Sequence, residues 1–326
     1  MELLSSASSF PRAALAQALR TLAHDHGIFI GTSSWKYPGW VGTLYDEQRY
    51  LHRGKFAESR FERDCLAEYA EVFPTVCVDA GYYRFPSPQY IESLCRQVPE
   101  GFRFSFKVTD DITARTFPNL PRHGPKAGKR NPHFLDSDLF RAAFASSLAP
   151  HSEKMGVIIF EFSKFHPRDF ERGRDFLEQL APFLKALPDG FQYGVEIRNR
   201  TFLCPPYFDL LRQHGVAHVF NHWDKMPGVD AQLEMPGSST TDFAAARFLL
   251  KPGRSYEQAV SSFSPYDQTR EINEDARMAA AKLIEMRMDA ATKSQPRKSY
   301  LYVNNRLEGS SLNTITAVLQ RLGILS

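Results

Sequence analysis

Short apolar runs recur along the whole chain, and this recurrence limits the possible folds more than any other feature. Eight runs rich in β-branched and aromatic residues are predicted to be strands: Ile28–Ser34, Thr75–Ala80, Arg103–Thr109, Gly156–Phe162, Gln192–Arg198, Val216–His222, Arg247–Lys251 and Tyr300–Asn305. Most of them are apolar at both alternating positions, which is typical of parallel strands covered on both faces.

Amphipathic helical patterns occupy most of the gaps between these runs. They are Phe56–Phe73, Pro88–Gln97, Asp136–Ala149, Asp169–Leu187, Pro206–His214, Glu271–Thr292 and Ser311–Leu322. The gap before the seventh run is the weakest, because it holds only Val229–Met235 and a Gly-Ser-Ser-Thr-Thr turn. Eight alternations of strand and helix predict an α/β fold, a (β/α)8 TIM-type barrel of parallel strands. An open doubly wound sheet is the alternative, disfavoured because no glycine-rich phosphate-binding motif follows a strand.

The predicted barrel is preceded by one further helix. Pro11–His26 places Leu15, Leu19 and Leu22 on one face, and no linker-like segment interrupts the rest of the chain. The predicted organisation is therefore an N-terminal helical extension over residues 1–27 and a single barrel domain over residues 28–326. A chain of 326 residues is an ordinary length for one α/β barrel.

Composition excludes several classes of function. A net charge of +3 is too small to indicate nucleic-acid binding by itself. The four cysteines include no C-x-x-C pair, so neither a disulfide framework nor a thiolate metal site is expected, and a reduced, cytoplasmic location is predicted. No secretory signal and no membrane association are expected, because no run approaches the ~18 apolar residues of a spanning helix.

The stretch Gly31–Trp40 has an unusual composition for a loop. It follows the first apolar run and contains Trp35, Tyr37 and Trp40. Because loops are mostly polar, aromatic residues here predict one wall of a binding site, with Trp35 and Tyr37 contacting the substrate. The alternative is that Trp35 and Trp40 only fill the end of the barrel.

Polar residues at the carboxyl ends of the predicted strands are the candidates for chemistry, since these ends form the active-site face of a barrel. They are Asp79, Lys107, Glu161, Glu196, Arg198, Asn221, His222, Asp224, Asn304 and Asn305. Strand alternation places Glu196 and Arg198 on one face, predicted to be the lumen. We predict Glu196 and Lys107 as catalytic residues and Arg198, Glu161 and Asn305 as substrate-binding residues, with Lys107 and Arg198 binding an anion. The alternative is a purely structural ion-pair network.

Two long insertions follow predicted strands and should lie on the same face of the barrel. They are Trp35–Lys55 and Asp110–Pro132. The second contains five basic residues, Arg115, Arg122, Lys126, Lys129 and Arg130, and no acidic residue from Ile112 to Leu135. We predict that it closes over an anionic ligand; the alternative is an ordinary solvated loop.

Metal and serine-hydrolase chemistry are weakly indicated. His222, Asp224, Glu161 and Glu196 could supply oxygen and nitrogen ligands, but no H-E-x-x-H or His-x-His signature is present, so no metal is predicted. The serines near Trp35 are not in a G-x-S-x-G elbow. No cofactor or oligomeric state is indicated.

Several stretches together resemble a known family, the domain of unknown function 72 or YecE-like proteins. In order, they are IGTSSWKYPGW, FPTVCVDAGYYRFP, FRFSFKVTDDIT, GVIIFEF, YGVEIRNRTF, FSPYD and YLYVNN, spanning about Ile28 to Asn313. The resemblance implies a TIM-barrel fold and no particular activity. It applies most firmly to Trp35, Tyr37, Lys107, Glu196, Arg198 and Asn305.

This chain also departs from the pattern of the family. Cys77, Asp79 and Glu161 stand where Glu, Asn and Gln are common, and FLLKPGRSY replaces an Arg–His-type signature. The leading hypothesis is an enzyme acting on a small anionic or polyhydroxylated substrate. A non-catalytic protein that binds a small ligand, or one that binds nucleic acid through the basic loop, is the alternative.

Overall fold

A computed structural model describes residues 10–79, 84–291 and 297–326. Its strands are β1 (Ile28–Thr32), β2 (Leu51–His52), β3 (Lys55–Phe56), β4 (Thr75–Val78), β5 (Arg103–Lys107), β6 (Met155–Phe162), β7 (Gln192–Ile197), β8 (Ala217–His222), β9 (Ala244–Phe248) and β10 (Ser299–Val303). Apart from the antiparallel hairpin β2–β3, the strands are parallel and pair in chain order, and β10 pairs with β1 to close a barrel. The predicted (β/α)8 fold is confirmed.

Helices fill the connections between the strands. They are α1 (Arg12–His26), α2 (Glu58–Ala70), α3 (Pro88–Cys95), α4 (Asp110–Thr113), α5 (Ser137–Phe140), α6 (Ser146–Leu148), α7 (Gly173–Lys185), α8 (Pro205–Gln213), α9 (Val229–Leu233), α10 (Tyr256–Phe263), α11 (Glu274–Ala291) and α12 (Ser311–Arg321). A π-helical segment, Arg141–Ala145, joins α5 to α6 and interrupts what the sequence predicts as one helix. Ala80 and Thr292, which end two predicted elements, lie outside the described residues.

The seventh predicted strand was placed three residues too late. β9 covers Ala244–Phe248, whereas the sequence predicted Arg247–Lys251. Three consecutive alanines lack the branched side chains that mark a strand. Leu249 and Leu250 lie beyond the end of β9 and pack with Phe263 of α10.

α10 was not predicted, although its start carries a recognisable signal. The Ser255 hydroxyl accepts a hydrogen bond from the Gln258 backbone N–H, and the Gln258 side chain accepts one from the Ser255 N–H. This reciprocal capping box satisfies two N–H groups that the helix start leaves unpaired. The S-x-x-Q spacing could have identified the helix.

The N-terminal helix belongs to the same core as the barrel. Leu15, Leu19 and Leu22 are buried within the main hydrophobic cluster. Gly27 ends α1 with a φ of 68°, a left-handed conformation that glycine adopts without strain, and its N–H bonds to the Leu22 carbonyl. The division of the chain at residue 27 stays a prediction.

Two layers of side chains arise from strand alternation. Outward-facing positions such as Phe104, Phe160 and Val195 join the large core beneath the helices. Inward-facing positions form a second cluster, here called the lower lumen, made of Phe29, Cys77, Val157, Ile159, Val219, Ala245, Tyr300 and Tyr302. The Tyr302 hydroxyl contacts the Ser105 hydroxyl at 2.6 Å and the Thr75 hydroxyl at 3.0 Å, and the Tyr300 hydroxyl donates to the Gln192 side chain at 3.2 Å, so both tyrosines have hydrogen-bond partners. The lower lumen fills the barrel with uncharged groups.

Hydropathy of the helices bears on membrane insertion. Among the described residues, no helix combines the length and the apolar character that crossing a lipid bilayer requires.

Candidate active site at the mouth of the barrel

Six charged side chains meet at the carboxyl ends of the strands, and we call them the mouth cluster. They are Asp79, Lys107, Glu161, Glu196, Arg198 and Arg247. They continue the inward-facing rows of the lower lumen, because Asp79 follows Cys77, Glu161 follows Ile159, and Arg247 follows Ala245 at intervals of two residues. Three cations face three carboxylates, so the mouth cluster has no net formal charge.

Glu161 is bound by all three cations of the mouth cluster. Its Oε2 lies 2.7 Å from Lys107 Nζ, 2.8 Å from Arg198 Nη2 and 3.2 Å from Arg247 Nη1. Within the described ranges, the one hydrogen bond found at its other oxygen, Oε1, is a long one of 3.4 Å from the Ser163 hydroxyl. Glu161 therefore has one saturated oxygen and one oxygen with spare hydrogen-bonding capacity.

Electrostatics fix the ionisation state of Glu161. Burial by itself raises the pKa of a carboxyl group, but Arg198, Lys107 and Arg247 together hold the pKa of Glu161 well below its ordinary value of 4.5. The side chain is therefore a carboxylate at neutral pH. In this state it is a hydrogen-bond acceptor and a weak base.

Glu196 pairs in register with Glu161 on the neighbouring strand, and the side chains of both are buried, with exposed fractions of 0% and 2%. Its Oε1 lies 3.0 Å from Arg198 Nη2, and its Oε2 lies 2.7 Å from Arg247 Nη1. Both oxygens are thus used to hold two guanidinium groups. The predicted inward orientation of Glu196 and Arg198 agrees with these contacts.

Arg247 is the centre of the network and was missed at the sequence level. Its guanidinium bonds to Glu161, to Glu196 and, through Nη2 at 3.1 Å, to Asp79. It is buried in β9, where an arginine among alanines was itself a signal, because an unpaired cation is costly inside a strand. The run that begins at Arg247 is predicted from the sequence, but its partners are not, because they belong to segments far away along the chain.

Access to the mouth cluster is uneven. The exposed fractions of the side chains are 28% for Asp79, 12% for Lys107 and 10% for Arg198. The Arg198 guanidinium also lies 3.8 Å from the centroid of the Trp223 ring, within cation–π range. Trp223, a second residue that sequence reasoning missed, therefore fixes the plane of Arg198 at the accessible edge.

Three neutral polar residues continue the inward-facing rows on other strands, and together with the mouth cluster they form what we call the upper lumen. Ser33 follows β1, Asn221 lies in β8 and Asn304 follows β10, and all three are buried. Each has one polar atom without a hydrogen-bond partner among the described residues, namely Ser33 Oγ, Asn221 Oδ1 and Asn304 Nδ2. Arg247 Nε is unpartnered in the same way. Since buried polar atoms are nearly always paired, these atoms mark the upper lumen as a place for hydrogen bonds with a polar molecule.

The predicted aromatic wall is only partly available to a ligand. Trp35 is 4% exposed and packs in the main core, where its carbonyl accepts a hydrogen bond from the Tyr45 hydroxyl. Tyr37 is half-buried and contacts the rings of Trp40 and Tyr266, with centroids 4.7 Å and 5.6 Å away. Trp40 is fully buried, as the filling role requires, so Tyr37 is the best placed of the three for ligand contact.

Gly39 fixes the loop that carries this wall. A Cβ atom on Gly39 would lie 2.1 Å from the carbonyl oxygen of Pro265, so no larger residue fits without movement of the backbone. Pro265 precedes Tyr266, which has an unusual φ of 71°. The loops after β1 and after α10 are therefore in direct backbone contact.

Asn305 has a local structural task. Its Oδ1 accepts hydrogen bonds from the Ser311 N–H and the Ser311 hydroxyl, both at 2.7 Å, at the start of α12. Its Nδ2 is buried and has no partner in the described part of the chain. The predicted role in substrate binding would use this amide group.

The basic insertion after β5 is internally paired. Lys126 bonds to Asp111 at 2.9 Å, and Arg122 lies 3.8 Å from Asp110. The Asn131 amide ties the loop together by donating to the Asp111 and Ala114 carbonyls. Two of the five basic residues thus have their charge balanced within the loop, and closure over an anion stays a prediction.

Metal ligation receives no geometric support from the described residues, which contain no group of three His, Cys, Asp or Glu side chains able to hold an ion. His222 instead contacts the Asn273 amide through Nε2 at 3.3 Å.

The thiol of Cys77 is a neutral part of the lower lumen, because burial raises its pKa to about 12.

Two bacterial proteins are similar in sequence to part of this chain. The UPF0759 protein YecE of Escherichia coli (strain K12) is 27% identical over 178 residues, which are 54% of this chain and 50% of that protein. The UPF0759 protein YunF of Bacillus subtilis (strain 168) is 25% identical over 146 residues, 44% of this chain and 46% of that protein. The chain thus spans about half the length of the curated relatives it matches.

Solved structures support the fold. A DUF72 family protein from Thermotoga maritima superposes with a TM-score of 0.59 at 20% identity, covering 91% of this chain and 100% of the other. A DUF72 family protein from Enterococcus faecalis has a TM-score of 0.59 at 18% identity, with 93% and 100% covered. The model of the family described as "Protein of unknown function DUF72" matches residues 29–326. This chain therefore belongs to the DUF72 family.

Proposed function

We propose that this protein is an enzyme acting on a small anionic or polyhydroxylated substrate at the mouth of the barrel. The observation that supports the proposal best is the mouth cluster itself. Six ionised groups are collected at the end of the barrel where active sites are built, although the lower lumen shows that uncharged side chains can fill the same barrel. Buried ion pairs rarely add stability over apolar packing, so a chemical role accounts for them better.

The solvent exposure and the hydrogen bonds of the mouth-cluster side chains decide the role that we propose for each of them. Lys107 and Arg198 have exposed edges, and in this proposal they bind oxygen atoms of the substrate. Glu161 is the proton acceptor, because its Oε1 has spare capacity. Glu196, predicted from the sequence as a catalytic residue, is a positioning residue in this proposal, because both of its oxygens hold arginines.

Substrate binding would activate Glu161 by competition. The substrate's oxygen atoms would draw Lys107 and Arg198 partly away from the carboxylate. Because these cations would then interact less strongly with the Glu161 carboxylate, the pKa of Glu161 would rise towards its ordinary range and the group would become a stronger base. A proton from a substrate hydroxyl or C–H group would then move to Glu161 Oε1.

A non-catalytic binding protein is the second candidate function. It is favoured by one observation, namely that every charge of the mouth cluster is already paired within the protein. Such a site could hold a ligand by hydrogen bonds from the unpartnered atoms of Ser33, Asn221 and Asn304 without any reaction.

The experiment combines ligand identification with one isosteric variant. Small molecules carried by the purified protein are identified by mass spectrometry, and sugar phosphates and sugar acids are screened by thermal shift. For each ligand found, turnover and affinity are compared for the wild type, Glu161→Gln, and Lys185→Met, which changes an exposed residue of α7 as a control.

For an enzyme, Glu161→Gln should lower turnover about a hundredfold or more while affinity changes little. Lys185→Met should match the wild type. A ligand that binds with no turnover in the wild type would support the binding protein instead. Binding of nucleic acid with affinity that falls steeply with salt would favour the basic loop as the functional surface.

A further inference from the structure

A cavity of about 260 Å³ lies beside the mouth cluster, between the basic insertion and the segment that follows β6. The insertion contributes residues 113–119 and Gly128, the other wall is formed by residues 163–166, 168 and 169, and Glu161 also lines the cavity. This volume is below the roughly 300–1,000 Å³ of sites for drug-sized ligands. The cavity therefore suits a small group, with the mouth cluster next to it.

Its walls carry three basic side chains and two carboxylates. Arg115, Lys164 and Arg168 line the cavity and form no ion pair with any residue in the described ranges. The two carboxylates of the lining are already engaged. Glu161 bonds to Lys107, Arg198 and Arg247, and Asp169 accepts from the Thr116 hydroxyl at 2.8 Å and from the His166 N–H at 3.1 Å.

Arg115 is held in place by aromatic rings, and the nearby Asp169 carboxylate acts on its charge without forming an ion pair with it among the residues described. Its guanidinium lies 5.2 Å from the centroid of the Phe134 ring and 5.4 Å from that of the Phe170 ring. Its Nε is buried and unpartnered among the residues described. Two aromatic rings thus orient a partly desolvated cation whose Nε–H has no acceptor in the part of the chain that the structure describes.

Neutral donors and acceptors complete the lining. The hydroxyls of Thr116 and Ser163 and the side chains of Asn119 and His166 also face this cavity. Planar guanidinium and ammonium groups are the partners that tetrahedral oxyanions bind in proteins, whereas the Thr116 and Ser163 hydroxyls already donate to Asp169 and Glu161.

We infer that this cavity binds a phosphate-sized oxyanion group of the substrate, which is a phosphorylated or sulfated polyhydroxylated compound. This inference rests on the proposed function, because Glu161 joins the cavity to the mouth cluster. The oxyanion group would bind to Arg115, Lys164 and Arg168. The hydroxyl-bearing part of the same molecule would then lie over Lys107 and Arg198.

Calorimetric titration with inorganic phosphate tests the cavity separately from the reaction. Arg115→Ala should weaken phosphate binding about tenfold or more, since a charge-assisted hydrogen bond is lost. Arg115→Lys should restore part of the affinity. Lys164→Met, which changes an exposed side chain, should weaken binding without affecting folding, and the control Arg174→Gln on α7 should have no effect.

Two further arms identify the source of the affinity. Sulfate should compete with phosphate, and acetate should compete poorly. A hexose monophosphate should bind more tightly than the same hexose without phosphate. Lys107→Met should weaken binding of the hexose monophosphate while leaving inorganic phosphate bound.

Two outcomes would overturn the inference. One is the absence of phosphate binding at millimolar concentration. The other is an affinity that is unchanged in Arg115→Ala and Lys164→Met but lost in Lys107→Met, which would place the anion in the mouth cluster. In either case the proposed function is still decided by turnover in Glu161→Gln. Conversely, phosphate binding in the cavity without turnover of any ligand would support the inference and contradict the enzyme.

Discussion

The lower lumen and the mouth cluster occupy the same barrel and follow the same strand alternation, yet they are built in opposite ways. The lower lumen is apolar and neutral, and the Tyr302 hydroxyl is paired with Ser105 and Thr75. One layer higher, the same rows of residues end in three cations and three carboxylates. The lower lumen thus shows that uncharged side chains can fill the interior of this barrel. We therefore separate the lower lumen, which stabilises the fold, from the mouth cluster, where we propose that the chemistry takes place.

The largest effect should come from removing the centre of the mouth cluster. Arg247→Met keeps most of the volume but leaves Asp79, Glu161 and Glu196 with one cation fewer. The free energy of unfolding should fall by about 3–5 kcal/mol, because the remaining buried charges lose their partner. Urea denaturation measures this change. A loss below about 1 kcal/mol would mean that the network does not depend on Arg247.

A smaller loss, with a characteristic pH dependence, is expected for Glu161→Gln. At neutral pH the variant should be less stable by about 2–3 kcal/mol, since charged hydrogen bonds become neutral ones. The pKa of Glu161 is lowered in the folded protein, so its contribution is complete above the unfolded-state value of 4.5 and is lost as the pH falls further. The gap between wild type and variant should therefore narrow below pH 4.5 in parallel denaturation curves. A constant gap from pH 7 to pH 3 would contradict the lowered pKa.

In the lower lumen the expected effects are steric. An alanine Cβ at position 194 would lie 2.6 Å from Val219 Cγ2 and 3.1 Å from Val157 Cγ1. Gly194→Ala should thus cost about 1–2 kcal/mol through overpacking, with no dependence on pH between 7 and 3 relative to the wild type. Thermal or urea unfolding checks both statements. A pH-dependent cost would show that the two layers are electrostatically coupled.

The smallest change tests the hydrogen bonds of the lower lumen. Tyr302→Phe removes the contacts to Ser105 and Thr75, but Ser105 still accepts from the Val157 N–H and Thr75 still donates to the Arg103 carbonyl. Because both partners keep another hydrogen bond, the expected loss is only about 0.5–1 kcal/mol. Phosphate binding measured by calorimetry should be the same as in the wild type.

Much of this contrast could be predicted from the sequence, because alternation along a strand is a local property. The two-residue interval that joins Glu196 to Arg198 predicts a shared face, and eight apolar runs predict the barrel. The identity of each partner could not be predicted. Arg247 reaches carboxylates on β6 and β7 and one just after β4, and a single sequence contains no record of such contacts between distant segments.

Local propensity also failed where tertiary packing decides the structure. β9 begins in an alanine run with little preference for a strand, and its place is set by pairing with β8 and β10. The orientation of Trp223 against Arg198 depends on a turn in which Asp224 has a φ of 32°. Periodicity cannot predict such a turn.

The close approach of Gly39 to Pro265 has a consequence for how the mouth could move. Since the two backbones touch, the segment that bears Tyr37 and the segment that bears Tyr266 must shift together, as one mechanical unit. This unit belongs to the side of the mouth formed after β1 and α10. On another side of the mouth, the basic insertion and the segment after β6 enclose a cavity and are joined by the hydrogen bond from the Thr116 hydroxyl to Asp169, so a loop there could move alone only after this bond breaks.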